Sequence, residues 1–206
     1  MPSQLGPETA LRALLDEASP SPDQIASLLD GFDHAGRVAA LRGLRRNQLQ
    51  PLFQLVEGRS PVALSYLVPP ELPSHTVVRH IGRNSLPMFS EFEKRFYRTR
   101  DGAIAGANFQ TMSPFTGPGY FVARQAPAQH ELLIDYEQLP HDAPEGWPAV
   151  RSNEAGISRF VYAHMIDTLR RVSTHVSIGA ASRRGQTPDA YFTLCRQDVA
   201  VSVQAA

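Results

Sequence analysis

The spacing of apolar side chains changes near residue 58. Before it, Leu11, Leu14, Leu15 and Ala18 fall at i, i+3, i+4 and i+7, and Ile25, Leu28, Leu29 and Phe32 repeat the interval, which paints one face of an α-helix. Ser21 precedes Pro22 with Gln24 three residues on, a start signal for the second helix, and Gly31 ends it. Asp33 caps a third helix carrying Val38, Leu41 and Leu44. Leu49, Leu52, Phe53 and Val56 give the template once more before Gly58, with Pro51 expected in the first turn of that last helix. Helices shorter than about 12–15 residues are marginal alone, so these must pack on each other or on the rest of the chain.

Residues 59–75 form a proline-punctuated connector holding Pro61, Pro69, Pro70 and Pro73. From residue 76 the period shortens to two. Residues 76–81 read as a strand ended by the Gly82-Arg83-Asn84 turn signal, residues 92–98 as a second, and Asp101-Gly102 as a hairpin turn into residues 104–112. Gly117-Pro118-Gly119 breaks the chain before residues 120–124, and residues 131–137 give a further strand before the Pro/Gly-rich stretch around Trp147. Residues 160–176 read as a helix, because Val161, Met165, Leu169, Val172 and Val176 share one arc and His164, Asp167, Arg171 and His175 another. Residues 176–180 and 191–196 close the series as strands. Strands at short intervals with turn chemistry between them argue an antiparallel sheet or barrel. The predicted class is α+β: a helical segment (1–58), the connector (59–75) and an antiparallel barrel or half-barrel (76–198).

Charge narrows the functions. The chain has 206 residues with 20 acidic and 20 basic side chains, a formal net charge of zero, which removes the basic excess expected of a nucleic-acid binder. The apolar runs are far short of the ~20 residues that span a bilayer, and the N-terminus lacks the basic-then-apolar layout of a signal peptide; a cytoplasmic protein is expected. Cys195 is the single cysteine and reads as a small buried hydrophobe. No His or Cys spacing suits a metal, and no cofactor motif appears, since Thr116-Gly117-Pro118-Gly119-Tyr120 lacks the helix and lysine of a phosphate loop. Lys94 is the only lysine among 20 basic residues.

Several short motifs occur in a fixed order: Glu93-Lys94-Arg95-Phe96, Asp101-Gly102, Ala107-Asn108-Phe109-Gln110, Leu133-Ile134-Asp135-Tyr136, Asp167-Thr168-Leu169-Arg170-Arg171-Val172, Ile178-Gly179 and Tyr191-Phe192-Thr193-Leu194. Across residues 76–197 this order resembles small bacterial calycin-type proteins. The resemblance implies a lipocalin-like antiparallel barrel, closed or half-open, that holds an apolar small molecule.

Strand parity places Lys94 on one side with Phe92 and Phe96. If that side faces inward, the amine is desolvated or paired with a buried carboxylate such as Asp135; if outward, it is an ordinary surface charge, the usual place for a lysine. Asp135 itself is expected outward and solvated. On the predicted helix His164 and Asp167 meet at i and i+3 as an acid/base pair, with Arg171 beside them for an anion, although such a row is more commonly a solvated face. Asn108, Gln110, Tyr120 and Tyr136 supply the few neutral polar groups a ligand pocket needs. Arg79 and His80 point to opposite faces, and an inward His80 is expected to be a satisfied core residue. The Arg37, Arg42, Arg45 and Arg46 cluster is expected to be a solvated helix face. The leading function is binding of a small, largely apolar molecule in the barrel, with a cofactor-free cyclase or isomerase as its enzyme version. The rival is an interaction module whose N-terminal helices dock on a partner or a second copy as a homodimer, the barrel being a filled scaffold.

Overall fold

The computed structural model describes residues 5–85, 91–109, 119–127, 130–151, 164–186, 188 and 190–199. Four short helices come first: α1 (Pro7–Leu15), α2 (Pro22–Asp30), α3 (His34–Arg42) and α4 (Arg46–Leu55). Ser21 Oγ accepts from the Gln24 N–H at 3.3 Å and Asp33 Oδ1 from the Gly36 N–H at 2.8 Å, each satisfying an N–H that the first helical turn leaves without a partner. Gly43 ends α3 where α1 crosses it, and a Cβ there would lie 2.3 Å from the Glu8 carbonyl oxygen. Pro51 sits inside α4 rather than in its first turn. It lies on the exposed side, while Leu49, Leu52 and Phe53 are buried on the other, so tertiary packing overrides the local penalty. No described helix is long and apolar enough to cross a membrane.

Eight strands follow: β1 (Val78–Asn84), β2 (Glu91–Arg98), β3 (Ile104–Phe109), β4 (Tyr120–Gln125), β5 (Leu132–Asp135), β6 (Met165–Arg171), β7 (Val176–Arg183) and β8 (Ala190–Arg196). Each pairs antiparallel with the next, and β1 pairs with β8. The α+β reading with an antiparallel barrel therefore holds, in its closed form. Closure leaves no edge strand exposed.

Two sequence expectations change. Gly82, Arg83 and Asn84 do not end β1 but continue it, paired with Phe92 and Glu91 on one side and with Leu194, Thr193 and Phe192 on the other. Met165–Arg171 is strand β6, not part of a helix, and residues 160–163 lie outside the described residues. Met165 and Leu169 stand four apart, an interval shared by both periods. Pairing with β5 on one side and β7 on the other decides in favour of the strand. Val172 and Val176, the rest of the supposed arc, pack outside the barrel under the helices.

The core has two parts. Inside the barrel lie Val78, Phe96, Ile104, Phe121, Leu132, Ile134, Tyr136, Leu169, Phe192 and Leu194, joined by Val62, Leu67, Val68 and Leu72 of the connector. The connector, with one turn of 3-10 helix at Leu64–Tyr66, closes one barrel end. Its carbonyls are met by barrel side chains: Gln125 on Val62 O at 2.9 Å, Arg196 on Tyr66 O at 2.8 Å, His80 with Leu67 O at 3.1 Å, and Arg98 on Val68 O and Pro69 O at 3.2 Å each. The second core lies between the helices and the outer face of β7 and β8, where Leu29, Leu41, Leu49 and Leu52 meet Val176, Ile178, Ala180 and Cys195. On another outer face Trp147 packs on Tyr97, Phe109 and Tyr120.

Candidate functional site

Three glycines make the room for this site. Gly82 is registered against Phe92, Gly106 against Phe121, and Gly179 against Phe192. A Cβ would lie 2.5, 2.7 and 2.3 Å from those phenyl rings, respectively, so the far edge of each ring occupies the space that a side chain on the strand beside it would take. The three rings then stand around one atom, Lys94 Nζ, at 5.7, 5.1 and 5.1 Å from the centroids of Phe92, Phe121 and Phe192, with the Tyr136 ring at 5.0 Å. Aromatic faces carry partial negative charge and stabilise a cation where water cannot reach it.

Lys94 faces inward, and its side chain is 2% exposed. Its three N–H donors are all used: on Asp167 Oδ2 at 2.9 Å, on Asn108 Oδ1 at 3.0 Å, and on the Tyr136 hydroxyl. The Asn108 amide donates to the same hydroxyl at 2.7 Å, and that hydroxyl donates to Asp167 Oδ2 at 3.4 Å. Among the described residues Asp167 Oδ1 is buried without a hydrogen-bond partner. Burial pulls the Lys94 amine down from its ordinary pKa, with the Asp167 charge opposing, and pushes the Asp167 carboxyl up, with Lys94 and Tyr136 opposing. The two shifts are opposite in direction, and they make Lys94 the stronger acid and Asp167 the stronger base.

Of the residues singled out in the sequence, Lys94, Asn108, Tyr136 and Asp167 converge here, and Phe92 forms part of the wall. Phe96 lies deeper, in contact with His80 at 4.6 Å and Phe121 at 5.3 Å between ring centroids. The others separate. His164 does not pair with Asp167: the segment is not helical, so the i, i+3 contact is lost, and His164 lies in a turn before β6 at positive φ (58) with its Nδ1 2.8 Å from Glu137, while Asp167 points into the barrel from β6. Arg171 lies at the connector end, donating to Ser173 O at 3.2 Å. Tyr120 is buried on the outer side of the wall, its hydroxyl on Pro148 O at 2.5 Å. Gln110 lies outside the described residues.

Asp135 faces outward as its parity requires but is buried, held by Arg124 at 3.3 Å and Gln138 at 2.9 Å; the lysine's carboxylate is Asp167. In the arginine cluster Arg37 is buried against Asp198 and Phe32 O, while Arg42 and Arg45 are exposed and pair with Glu91 and Asp16. Phe121 and Phe192 escaped sequence reasoning. Their signal was the registered glycine, since an inward glycine in a strand marks the close approach of a neighbour.

Two hollows lie away from this cluster. One, of about 570 Å³ beside the connector, is lined by Tyr66, Arg171 and Arg196 among others; the second, of about 620 Å³, is an apolar groove between α1 and α2 that includes Leu14 and Leu28. Among the described residues no group of three His, Cys, Asp or Glu side chains is placed to hold a metal. No protein-family model, curated protein or solved structure matches the chain.

Proposed function

We propose that the barrel binds a small, largely apolar molecule bearing one carbonyl or hydroxyl group and isomerises or cyclises it by proton transfer, with Asp167 as base and Lys94 and Tyr136 as the groups that hold the oxygen. The observation that carries this reading is Asp167 Oδ1, a buried carboxylate oxygen without a partner in a cluster where the Lys94 and Tyr136 donors and acceptors are otherwise used. A barrel core is filled more stably by Leu or Phe than by an ion pair and two neutral polar groups, so a need other than stability accounts for them.

Asp167 removes a proton from the carbon next to the ligand's carbonyl, and the C–H electron pair moves into the adjoining C–C bond as the oxygen gains charge. Protonation of Asp167 removes the charge that held the Lys94 N–H and the Tyr136 O–H at its Oδ2, and both donors turn to the ligand oxygen, where contacts in surroundings of low polarity are strong. Where the ligand carries a C=C bond β,γ to its carbonyl, the dienolate takes the proton back from Asp167 at the γ-carbon and the C=C bond shifts into conjugation with no net oxidation. Phe92, Phe121 and Phe192 supply the apolar wall and exclude water. The lipocalin-like resemblance carries the same expectation of an apolar ligand.

Native mass spectrometry of freshly purified protein, with titration of the fluorescent naphthyl ketone prodan, tests the reading. Wild type should carry a bound small molecule or bind prodan, and a Lys94→Met/Asp167→Asn double variant of unchanged melting temperature should lose about tenfold or more in affinity, the worth of a charge-assisted hydrogen bond. Equal binding by wild type and double variant, or none by wild type, sinks the proposal.

A further inference from the structure

The neutral sum of charges conceals an uneven distribution. Elsewhere arginines stand against carboxylates, as Arg42 on Glu91, Arg59 on Asp23, and Arg170 on both Glu57 and Glu131. At the connector end three do not. Arg98 donates to Val68 O and Pro69 O, Arg171 to Ser173 O, and Arg196 to Tyr66 O and Thr174 O. Among the described residues none of the three has an ion-pair partner. A carbonyl satisfies the direction of an N–H but does not cancel the charge, so Arg171 and Arg196 keep theirs, two charges against that of Asp30, which only the neutral Thr174 donors meet.

Arg171 and Arg196 also line the hollow of about 570 Å³ beside the connector. The Tyr66 ring lies between them, its centroid 6.0 Å from the Arg171 guanidinium carbon and 5.4 Å from that of Arg196. Pro61 and Val62 extend the apolar part of the wall. The carboxylate at this rim, Asp30, is engaged by the Thr174 N–H and hydroxyl, both at 2.9 Å. Two cations flanking an aromatic ring, with an apolar shelf beside them, match an anion with an apolar body.

We infer that this groove is a second binding site, for a small organic oxyanion. The charged end, a phosphate ester or a carboxylate, lies between Arg171 and Arg196, and the apolar body rests on Tyr66, Pro61 and Val62. The site is at the opposite end of the barrel from the rim formed by Phe92 and Met165 and is independent of the Lys94 cluster.

Isothermal titration of the full chain with phenyl phosphate, benzoate and inorganic phosphate tests it. Phenyl phosphate or benzoate should bind several times more tightly than inorganic phosphate, and whichever is tighter names the charged end. Arg171→Gln should weaken that binding about tenfold or more, whereas Arg45→Gln, just before α4 where the side chain pairs with Asp16 and does not line the groove, should leave it unchanged. Rising sodium chloride should weaken the wild-type affinity, which supplies a check that needs no variant. The inference is overturned if no probe binds wild type saturably, if inorganic phosphate binds as tightly as the organic anions, if a folded Arg171→Gln binds like wild type, or if the affinity ignores salt.

Discussion

His80 shows how far one side chain can depart from its behaviour in water. It is fully buried, its Nε2 stands 3.1 Å from the Leu67 carbonyl, and its Nδ1 has no partner among the described residues. Burial pulls its pKa from the ordinary 6.5 down to about 3. The unfolded chain takes up a proton as pH falls below about 6.5, while the folded state refuses it until about 3. Stability from this residue is therefore complete above the unfolded value and declines through that window. Between pH 7 and pH 5 the loss should be about 2 kcal/mol, read from urea midpoints, and His80→Asn should flatten the slope across that interval; parallel curves would assign the acid sensitivity elsewhere. Parity alone paired Lys94 with Phe92 and Phe96. It did not tell which side was inside, because the opposite side of β2 is also covered: Tyr97 is fully buried there, under Trp147, with its hydroxyl on Asp142 O at 2.6 Å.

Strands keep their register here through paired glycines and phenylalanines as much as through hydrogen bonds. Gly106 is the most confined, since an added Cβ would meet the Arg95 carbonyl oxygen at 2.3 Å as well as the Phe121 ring at 2.7 Å. A ring can turn aside, but a neighbouring backbone carbonyl cannot. Gly106→Ala should cost about 1–3 kcal/mol by overpacking and, by displacing Phe121, should lower prodan affinity too. A thermal melt with a binding titration checks both, and a variant of wild-type stability would show that β2 and β3 can separate without penalty. Glycine is also where the sequence misled, because Gly82-Arg83-Asn84 has turn composition yet lies in mid-sheet, where the demand is space for Phe92. The β6 segment misled for a related reason. Its apolar residues satisfy two periods, and only neighbours distant in the chain choose between them. The N-terminal helices were legible because caps and stripes are local signals, and Ser21 and Asp33 perform as caps.

At the scale of the molecule the helices act as a cover. They lie on the outer face of β7 and β8, and Arg170 ties α4 to the wall through Phe53 O at 2.8 Å and Glu57 at 3.1 Å. Removing residues 1–58 should bare Val176, Ile178, Ala180 and Cys195, and the remaining barrel should self-associate, which light scattering at rising concentration would detect. A monodisperse, cooperatively melting truncation would show that the wall needs no cover. The closed order of eight strands was not legible locally, for it rests on β1 finding β8 more than 100 residues away. Closure also gives the single lysine a use at the bench. Because the only ε-amine of the chain is sealed inside the ring of strands, an amine-directed reagent that reaches it has recorded a moment when the barrel opened, and the rate of that labelling is a clock for the breathing of the wall.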